Sequence, residues 1–310
     1  MTLLTAAVCT YNRAGRLHKL ISELRRQECP VQFEILVINN NSSDDTENVL
    51  EELSRKEGVH LRYVNEPQQG IVYARNRAIE EAVSSEYIFF MDDDELPQPG
   101  LLKSVVHALV EEKADCAGGR ISVLFEGDSR PAWLGGDLLG FLGEFEHGGD
   151  AFWINSELTP VWTGNVAYRM SLFSSGLRFD PRYNRVGTDV GGGEDYKMFR
   201  ILLEKKLKIR YRPDMAVNHL IETDKLKKSY FIILHYRAGK RYGRYEMESS
   251  YPKSWFGVPM FMVGQMLRQC FKTIGMFIKN DPGLIRQSMN MVHAGGAIVG
   301  RYHCWRDDRG

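Results

Sequence analysis

The chain has 310 residues, of which 43% are apolar, enough for one large α/β domain or one domain with an extension. Lys plus Arg equals Asp plus Glu at 40 each, so no overall charge favours a polyanion, and nucleic acid is not an expected partner. The five cysteines are scattered without a Cys-x-x-Cys pair, which argues against a disulfide framework and a zinc site. No signal peptide is recognisable, and the longest apolar run, 255–267, is too short to span a bilayer. These features predict a cytoplasmic protein.

Strand and helix patterns alternate along the first part of the chain. A capping box of Ser42 and Asp45 is expected at the start of the second helix. Strand–helix alternation with short links predicts an α/β fold with a mostly parallel sheet flanked by helices. The predicted strands are 3–9, 34–38, 59–64 and 87–91, and the predicted helices begin near residues 13, 45 and 71.

The alternation of strand and helix patterns becomes less regular in the middle of the chain. A strand is expected at 116–125, a second strand at 161–170 and a helix at 196–206. The composition then changes, because the segment 225–244 contains seven Lys or Arg and no acidic residue. The sequence therefore predicts a boundary near residue 220, followed by a helical C-terminal extension over 221–310.

Four acidic residues, Asp92 to Glu95, follow directly on the fourth strand. Ligands of such sheets bind at the carboxyl ends of the strands, where the polar segments 10–13 and 39–45 also lie, so three polar clusters are expected at one rim. Acidic groups so close together repel each other unless a positive charge lies among them. Two carboxylates at a strand end can bind Mg²⁺ or Mn²⁺, which in turn binds a diphosphate. A solvated acidic turn is the alternative.

Five motifs resemble those of family 2 glycosyltransferases, which are nucleotide-sugar-dependent enzymes with the GT-A fold. They occur in the family's order over about residues 3–220 and read VCTYNR, ILVINNNSSDDT, GIVYARNRAI, FFMDDDELPQPGLL and GGGEDYKMFRIL. The resemblance implies a GT-A catalytic domain at 1–220. Its first half, 1–115, would bind the nucleotide sugar, and its second half, 116–220, would face the acceptor and carry the catalytic base.

The resemblance also implies site residues. The metal ligands for Mn²⁺ or Mg²⁺ would be Asp92, Asp94 and His219, with Asp94 as the more direct ligand. A histidine at a strand end can instead be satisfied by the backbone. The residues implied in binding the nucleotide and the donor sugar are Thr10, Tyr11, Arg13, Asn39, Asn40, Arg75, Asn76, Asp92 and Asp93.

The chain departs from the family after the second strand, where many members have an acidic pair and this chain has Asn39, Asn40 and Asn41. A carboxylate there would accept the imide N–H of uracil. An asparagine carbonyl can accept the same hydrogen bond, while its amide can also donate one. A UDP-sugar is therefore the expected donor, with thymine and guanine nucleotides left open. These asparagines could instead form a turn before the helix.

Asp195 matches the position of the family's catalytic base, and Glu194 would orient or contact the acceptor. A carboxylate must take the proton of the acceptor hydroxyl as the hydroxyl attacks, and one base with one displacement predicts inversion. Glycines 191–193 would let the preceding loop close over the donor. The alternative is that both acids only favour the start of a helix.

The acceptor is expected to be a saccharide or a lipid-linked saccharide in cell-envelope or exopolysaccharide synthesis. Trp162, Gly164 and Asn165 would form a wall of the acceptor site, although the tryptophan could also pack in a loop-rich region. A nucleotidyltransferase should carry a Gly-rich phosphate loop after the first strand, which CTYNRAG is not. An aspartyl phosphatase should carry Asp-x-Asp-x-Thr, which is also missing at the acidic run. A protein that binds sugar nucleotides without transferring the sugar is the alternative from another class.

The C-terminal part combines the basic stretch 225–244 with the aromatic-rich apolar segment 255–278. This combination suits the headgroup region of an anionic membrane, so peripheral contact through 225–278 at the inner face is expected. The same helices could instead pack on the catalytic domain or on a second copy of the chain, as in a homo-oligomer.

Overall fold

The computed structural model describes residues 3–127, 130–186, 192–248 and 251–307. The chain divides into two compact units. The first consists of Met1–Leu124, Leu142–Gly187 and Gly193–Ile221, and the second of the remaining residues, chiefly Glu222–Gly310.

The first unit begins with four parallel strands whose order in the sheet is β3-β2-β1-β4. The side chains of β1, β2 and β4 are almost all buried, as expected for strands that helices cover on both faces, whereas β3 at the edge of the sheet is mostly half-buried. The predicted α/β fold, a sheet flanked by helices, is confirmed. The strands are β1 (Leu4–Thr10), β2 (Phe33–Asn39), β3 (Leu61–Asn65) and β4 (Tyr87–Asp92), and the helices are α1 (Ala14–Arg25), α2 (Thr46–Ser54) and α3 (Ile71–Glu81).

The sheet continues beyond β4 with antiparallel strands. β8 pairs with both β4 and β6, while β5 and β7 pair with β9, and the full order is β3-β2-β1-β4-β8-β6-β9-β5 with β7 beside β9. These pairings bring β9 next to the acidic turn after β4. The elements are β5 (Glu95–Pro97), α4 (Leu101–Val106), β6 (Cys116–Phe125), β7 (Phe152–Ile154), β8 (Asn165–Arg169), α5 (Ser171–Ser174), α6 (Glu194–Glu204) and β9 (Ile209–Ile221).

An aromatic cluster fixes the segment before α6 to the sheet. Phe90 of β4 packs edge-on against Tyr168 of β8 and against Phe179, with ring centroids 6.2 and 6.0 Å apart. Asn76 of α3 binds the same segment, because its amide donates to Phe179 O at 3.0 Å and its carbonyl accepts from Phe179 N at 2.9 Å. The chain leading towards α6 is thus anchored on both sides.

The predicted capping box before α2 is wrong. The Ser42 hydroxyl accepts a hydrogen bond from the backbone N–H of Asn12 at 2.9 Å, and the Asp44 carboxylate accepts from Thr46 N at 3.1 Å. Ser43 N in turn donates to the side-chain Oδ1 of Asn12 at 2.7 Å. Ser42 and Ser43 therefore bind the loop after β1, while Asp44 accepts hydrogen bonds at the starts of both α1 and α2.

The second unit is largely helical, which confirms the predicted helical extension. Two short strands, β10 and β11, form a hairpin before α8. Within the described residues, no helix combines the length and the apolar character needed to cross a bilayer. The elements are α7 (Lys228–Arg241), β10 (Ser254–Trp255), β11 (Val258–Pro259), α8 (Met260–Ile278) and α9 (Leu284–Asp307).

The backbone of α9 touches the backbone of α7, and of the π-helical turn 242–246 that continues α7, at four glycines. A Cβ atom on Gly239 would lie 2.0 Å from His293 O, and one on Gly243 would lie 2.0 Å from Ala297 O. Real Cβ atoms do not come so close to a carbonyl oxygen, so glycine is required for this approach. The reciprocal contacts are a Cβ on Gly296 at 2.1 Å from Tyr236 O and one on Gly300 at 2.0 Å from Lys240 O.

Candidate active site

The ends of β1 and β4 meet at one rim, as predicted. The hydroxyl of Thr10 donates to Asp93 Oδ2 at 2.7 Å, and Arg13 Nε lies 3.9 Å from Asp93 Oδ1. Burial and the charge of Asp94 raise the pKa of Asp93 to about 7, although the Thr10 hydrogen bond and the Arg13 charge lower it. Tyr11 is half-buried in the same segment. The polar residues after the first strand thus hold the middle aspartate of the acidic run.

The positive charge nearest the end of β4 is Arg75 of α3. Its buried guanidinium donates from Nη1 to Glu194 Oε1 at 2.6 Å and from Nη2 to Asp92 Oδ1 at 3.1 Å, and it lies 5.7 Å from the centre of the Phe179 ring. Burial alone would lower the pKa of Arg75, but the charges of Asp92 and Glu194 raise it above its ordinary value. Arg75 therefore connects the acidic strand end to the start of α6.

Asp195 follows in the first turn of α6, beside that ion pair. It is partly buried, and its Oδ1 accepts a hydrogen bond from Tyr196 N at 2.7 Å. Burial and the charge of Glu194 raise the pKa of Asp195 to about 6, against the lowering effect of Arg75. Such a carboxyl is ionised at neutral pH and is more basic than an ordinary aspartate, which suits a general base.

The Gly-rich loop before α6 is only partly described. Gly192 and Gly193 both have positive φ, 149° and 105°, and Gly193 occupies the position just before the helix in the left-handed conformation. Gly191 and residues 187–190 lie outside the described residues. The predicted closure of this loop over a donor stays a prediction.

Asp94 and His219 lie side by side because β5 pairs with β9. Asp94 Oδ2 is 3.3 Å from His219 Nε2, and the backbone N–H of Leu220 donates to Asp94 O at 2.8 Å. Within the part of the chain that the structure describes, no group of three His, Cys, Asp or Glu side chains is arranged to hold a metal ion. Two neighbouring ligands of an octahedral Mg²⁺ or Mn²⁺, each at about 2.1 Å, would be about 3 Å apart. Asp94 and His219 therefore fit as two ligands of such an ion.

Asp92 is in a different position from Asp94, because one of its oxygens binds Arg75. A direct metal contact through Asp92 stays a prediction.

Glu95, which the sequence did not single out, is buried beneath the cluster and accepts from Asp92 N at 3.3 Å. Burial, with the charges of Asp92 and Asp94, raises its pKa well above the ordinary value. Its position as the fourth acidic residue of the run is the feature of the sequence that could have marked Glu95 as a site residue.

Asn39 and Asn40 hold neighbouring segments together through side-chain hydrogen bonds, a role that differs from both the base contact and the turn that the sequence suggested. The Asn39 amide donates to Asn65 Oδ1 at 2.9 Å. The Asn40 amide donates to Glu66 O at 3.2 Å and Gln68 O at 2.8 Å, and its carbonyl accepts from Gly70 N at 2.7 Å. A contact between these asparagines and a nucleotide base stays a prediction.

The three residues expected at an acceptor site lie at the start of β8. Gly164 is buried against Glu95, since a Cβ on it would be 2.5 Å from Glu95 Oε1. Asn165 is also buried, and its amide donates to Arg120 O at 3.0 Å and Met215 O at 2.8 Å. Trp162 is partly buried against the core. Asn165 thus joins strands of the sheet, and this geometry does not support its contact with an acceptor.

The chain is similar to known proteins that transfer sugars. Over 119 residues it is 31% identical to a GalNAc(5)-diNAcBac-PP-undecaprenol beta-1,3-glucosyltransferase of Campylobacter jejuni, a match that covers 38% of each protein. Over 116 residues it is 26% identical to the poly(ribitol-phosphate) beta-N-acetylglucosaminyltransferase TarS of Staphylococcus aureus, covering 37% of this chain and 20% of TarS. The chain therefore spans well under half of the length of these relatives.

Solved structures share the fold. A TarS fragment in complex with UDP-GlcNAc superimposes with a TM-score of 0.53 at 19% identity, covering 80% of this chain and 68% of that one. The mannosyltransferase PcManGT from Pyrobaculum calidifontis, in complex with GDP-Man and Mn²⁺, gives a TM-score of 0.56 at 16% identity, covering 95% and 73%. At these identities the likeness establishes the fold alone.

A match to a protein-family model agrees with the family that the motifs, the fold and the site geometry indicate. The model described as glycosyl transferase family 2 matches residues 5–177, which is more than half of the chain. The matched region contains the three polar strand ends and the acidic run, while the start of α6 lies beyond it. This protein belongs to glycosyl transferase family 2.

Proposed function

We propose that the protein is an inverting glycosyltransferase. It moves a sugar from a nucleoside-diphosphate sugar, with UDP as the expected nucleotide, to a hydroxyl of a saccharide or lipid-linked saccharide. The observation that supports this proposal is the bridge from Asp92 through Arg75 to Glu194, because Asp195 is the next residue after Glu194 in the first turn of α6. The named acceptors of the Campylobacter and Staphylococcus relatives support a role in cell-envelope or exopolysaccharide synthesis.

On the donor side, Asp94 and His219 would hold Mn²⁺ or Mg²⁺. The bound cation supplies Lewis-acid stabilisation of the charge that develops on the leaving diphosphate. The presence of Mn²⁺ with GDP-Man in the similar mannosyltransferase supports this assignment. Thr10 and Arg13 hold Asp93 in the same rim, where they would contact the nucleotide.

On the acceptor side, Asp195 accepts the proton of the attacking hydroxyl. The oxygen of that hydroxyl forms a bond to the anomeric carbon from the side opposite the diphosphate, and the bond from that carbon to the diphosphate breaks. One such displacement inverts the configuration of the sugar. Glu194 cannot serve as well as the base, because Arg75 binds one of its oxygens and the side chain is buried. It positions the start of α6.

Two matched variants test this division of roles. Asp195→Asn keeps the shape of the side chain and removes the proton acceptor, so kcat should fall by about 10²–10⁴-fold. Glu194→Gln should reduce kcat less. Thermal shifts with UDP, GDP and dTDP, with and without Mn²⁺, identify the nucleotide and show whether each variant still binds it.

The product is examined by NMR for the configuration at its anomeric carbon. An Asp195→Asn enzyme with near-normal turnover would contradict the assignment of the base, and a product that keeps the donor's configuration would contradict inversion. Nucleotide binding without any turnover over a panel of sugars and acceptors would instead indicate a sugar-nucleotide-binding protein.

A further inference from the structure

Helix α8 of the second unit has two different sides, and only one of them is packed. Met262 is buried, and Gln269 and Thr273 lie against Gln287 of α9, whose amide donates to Gln269 Oε1 at 2.7 Å and to Thr273 Oγ1 at 3.3 Å. These residues recur at the four- and seven-residue spacing of one side of a helix. That side attaches α8 to α9.

The opposite side, which we call the outer face, is apolar and exposed. Its members follow each other at the three-, four- or seven-residue spacing of a single helix face. Phe271, near the middle, is 73% exposed, and Ile278, at the end, is 74% exposed. The outer face consists of Met260, Leu267, Phe271, Ile274 and Ile278.

The hairpin that precedes α8 carries two further exposed aromatic rings. Trp255 of β10 is 74% exposed, and Phe256, at the tip of the hairpin, is 61% exposed. Tryptophan is enriched at the level of lipid headgroups, where one part of its ring system is wet and the other lies in an apolar environment. The outer face and the hairpin tip each expose more apolar area than a single scattered residue, and Phe256 also contacts Trp305 of α9 with ring centroids 5.4 Å apart.

The charged residues within the segment that forms this surface have one sign. The segment 251–280 contains Lys253, Arg268, Lys272 and Lys279 and no acidic residue. At 100° per residue, Arg268 and Lys272 lie on the flank of the outer face, from which their guanidinium and ammonium groups can extend towards phosphates. An anionic bilayer is complementary to such a surface. A symmetric contact with a second copy would instead bring like charges together.

We propose that the outer face of α8 and the tip of the hairpin bind the headgroup region of an anionic phospholipid bilayer. The helix, about 28 Å long, lies in the plane of the surface with its apolar side chains below the phosphates. This binding goes beyond the proposed transfer reaction and does not depend on it. It would keep the enzyme at the surface where a lipid-linked acceptor is anchored.

Flotation with vesicles measures the binding directly. The protein is mixed with vesicles of phosphatidylcholine alone or of phosphatidylcholine and phosphatidylglycerol in equal amounts, at low and at high NaCl. We expect binding to the anionic vesicles at low salt and weaker binding at high salt, because salt screens the attraction. The intrinsic fluorescence should shift to the blue on binding, and Trp255→Phe should remove most of that shift.

Three variants test whether the outer face and its flanking charges carry the binding. Phe271→Asp and the double variant Arg268→Glu/Lys272→Glu should each reduce the affinity for anionic vesicles by about tenfold or more. Leu158→Asp is the matched control, because Leu158 is 86% exposed but belongs to the first unit, and it should bind as the unaltered protein does. Far-UV circular dichroism confirms that each variant is folded.

Two results would overturn the proposal. One is the absence of binding to anionic vesicles at low salt. The other is binding to anionic vesicles that Phe271→Asp and the Arg268→Glu/Lys272→Glu variant leave unchanged. If vesicle binding is missing and light scattering finds a dimer that Phe271→Asp dissociates, the outer face is instead a contact between copies of the chain.

Discussion

Arg75 donates a 2.6 Å hydrogen bond to Glu194, and both side chains are buried although they are 119 residues apart in the sequence. Arg75→Gln leaves the Glu194 carboxylate buried beside no positive partner at that position. Removing one partner of a buried ion pair costs about 3–5 kcal/mol, so the free energy of unfolding should fall by about that amount. Urea denaturation followed by circular dichroism measures the change.

The double variant Arg75→Gln/Glu194→Gln is the control for this loss. Because it leaves no unpaired charge on Glu194, it should be more stable than Arg75→Gln alone. Glu194→Gln alone should be the mildest of the three, since Arg75 keeps its bond to Asp92. Strictly additive losses in the double variant would show that the two side chains are not coupled.

The protonation of Asp195 should determine how kcat/KM falls at acidic pH. The base must be unprotonated, so kcat/KM should fall about tenfold per pH unit below a pH of about 6, the raised pKa of this carboxyl. Buffers of constant ionic strength with saturating metal ion give the profile. The residual activity of Asp195→Asn should lack this fall, and an identical fall in that variant would assign the titration to another group.

The raised pKa of Asp195 should also make the stability of the protein depend on pH. The pKa of Asp195 is about 6 in the folded state against an ordinary value of 3.8, so the folded state binds the proton more tightly. Its contribution to the free energy of unfolding is therefore largest below a pH of about 4 and is lost as the pH rises to about 6. Asp195→Asn should gain stability relative to the unaltered protein above pH 6 and lose this gain below pH 4.

Asp94 and His219 should be required for the effect of metal on nucleotide binding. Isothermal titration of UDP should show tighter binding with Mn²⁺ than with EDTA, and Asp94→Asn or His219→Ala should reduce the affinity in Mn²⁺ towards that in EDTA. Asp150→Asn and His18→Ala are matched controls, because both residues are exposed and lie in the first unit outside the three polar strand ends. Equal metal dependence in all four variants would exclude Asp94 and His219 as ligands.

Asn40 should be essential for the stability of the rim. Asn40→Asp removes both amide N–H donors and places a negative charge against the carbonyl oxygens of Glu66 and Gln68. The free energy of unfolding should fall by about 1–3 kcal/mol, the cost of leaving the buried side chain at position 40 without its hydrogen-bond partners. Asn41→Asp is the control, since Asn41 is exposed with φ 60° and Asp tolerates that conformation. Similar melting temperatures for Asn40→Asp and Asn41→Asp would contradict the role of Asn40.

The first half of the sheet could be predicted from the sequence because its signals are local. Each apolar run from β1 to β4 is followed by turn residues, and the acidic run marks the rim where ligands bind. The 13-residue strand β9 was harder, because Pro213 and two charged neighbours interrupt its pattern. What identifies it is its pairing with β5, which the local sequence does not contain.

The contacts within the site were less predictable for the same reason. The motifs indicated that Arg75 and Asp92 share a site, but the bond from Arg75 to Glu194 depends on how α6 returns to the sheet. Asn40 and Asn165 illustrate a second limit. Both are polar and lie near the rim, and only the structure reveals that backbone groups of neighbouring loops and strands use their amides.

The glycine contacts between α7 and α9 limit how the second unit can respond to a surface. Gly239 and Gly243 are four residues apart, as are Gly296 and Gly300. The opposing backbone can therefore approach closely at only one position in each turn, where no Cβ is present. A slide of one helix along the other by a fraction of a turn would bring larger side chains against the opposing backbone. A slide by four residues would keep only one glycine of each pair at the contact and bring a side chain against the backbone in place of the other, so the four glycines fix the register of the two helices. Under load from a bound α8, α7 and α9 should therefore move together as one rigid unit, without sliding past each other.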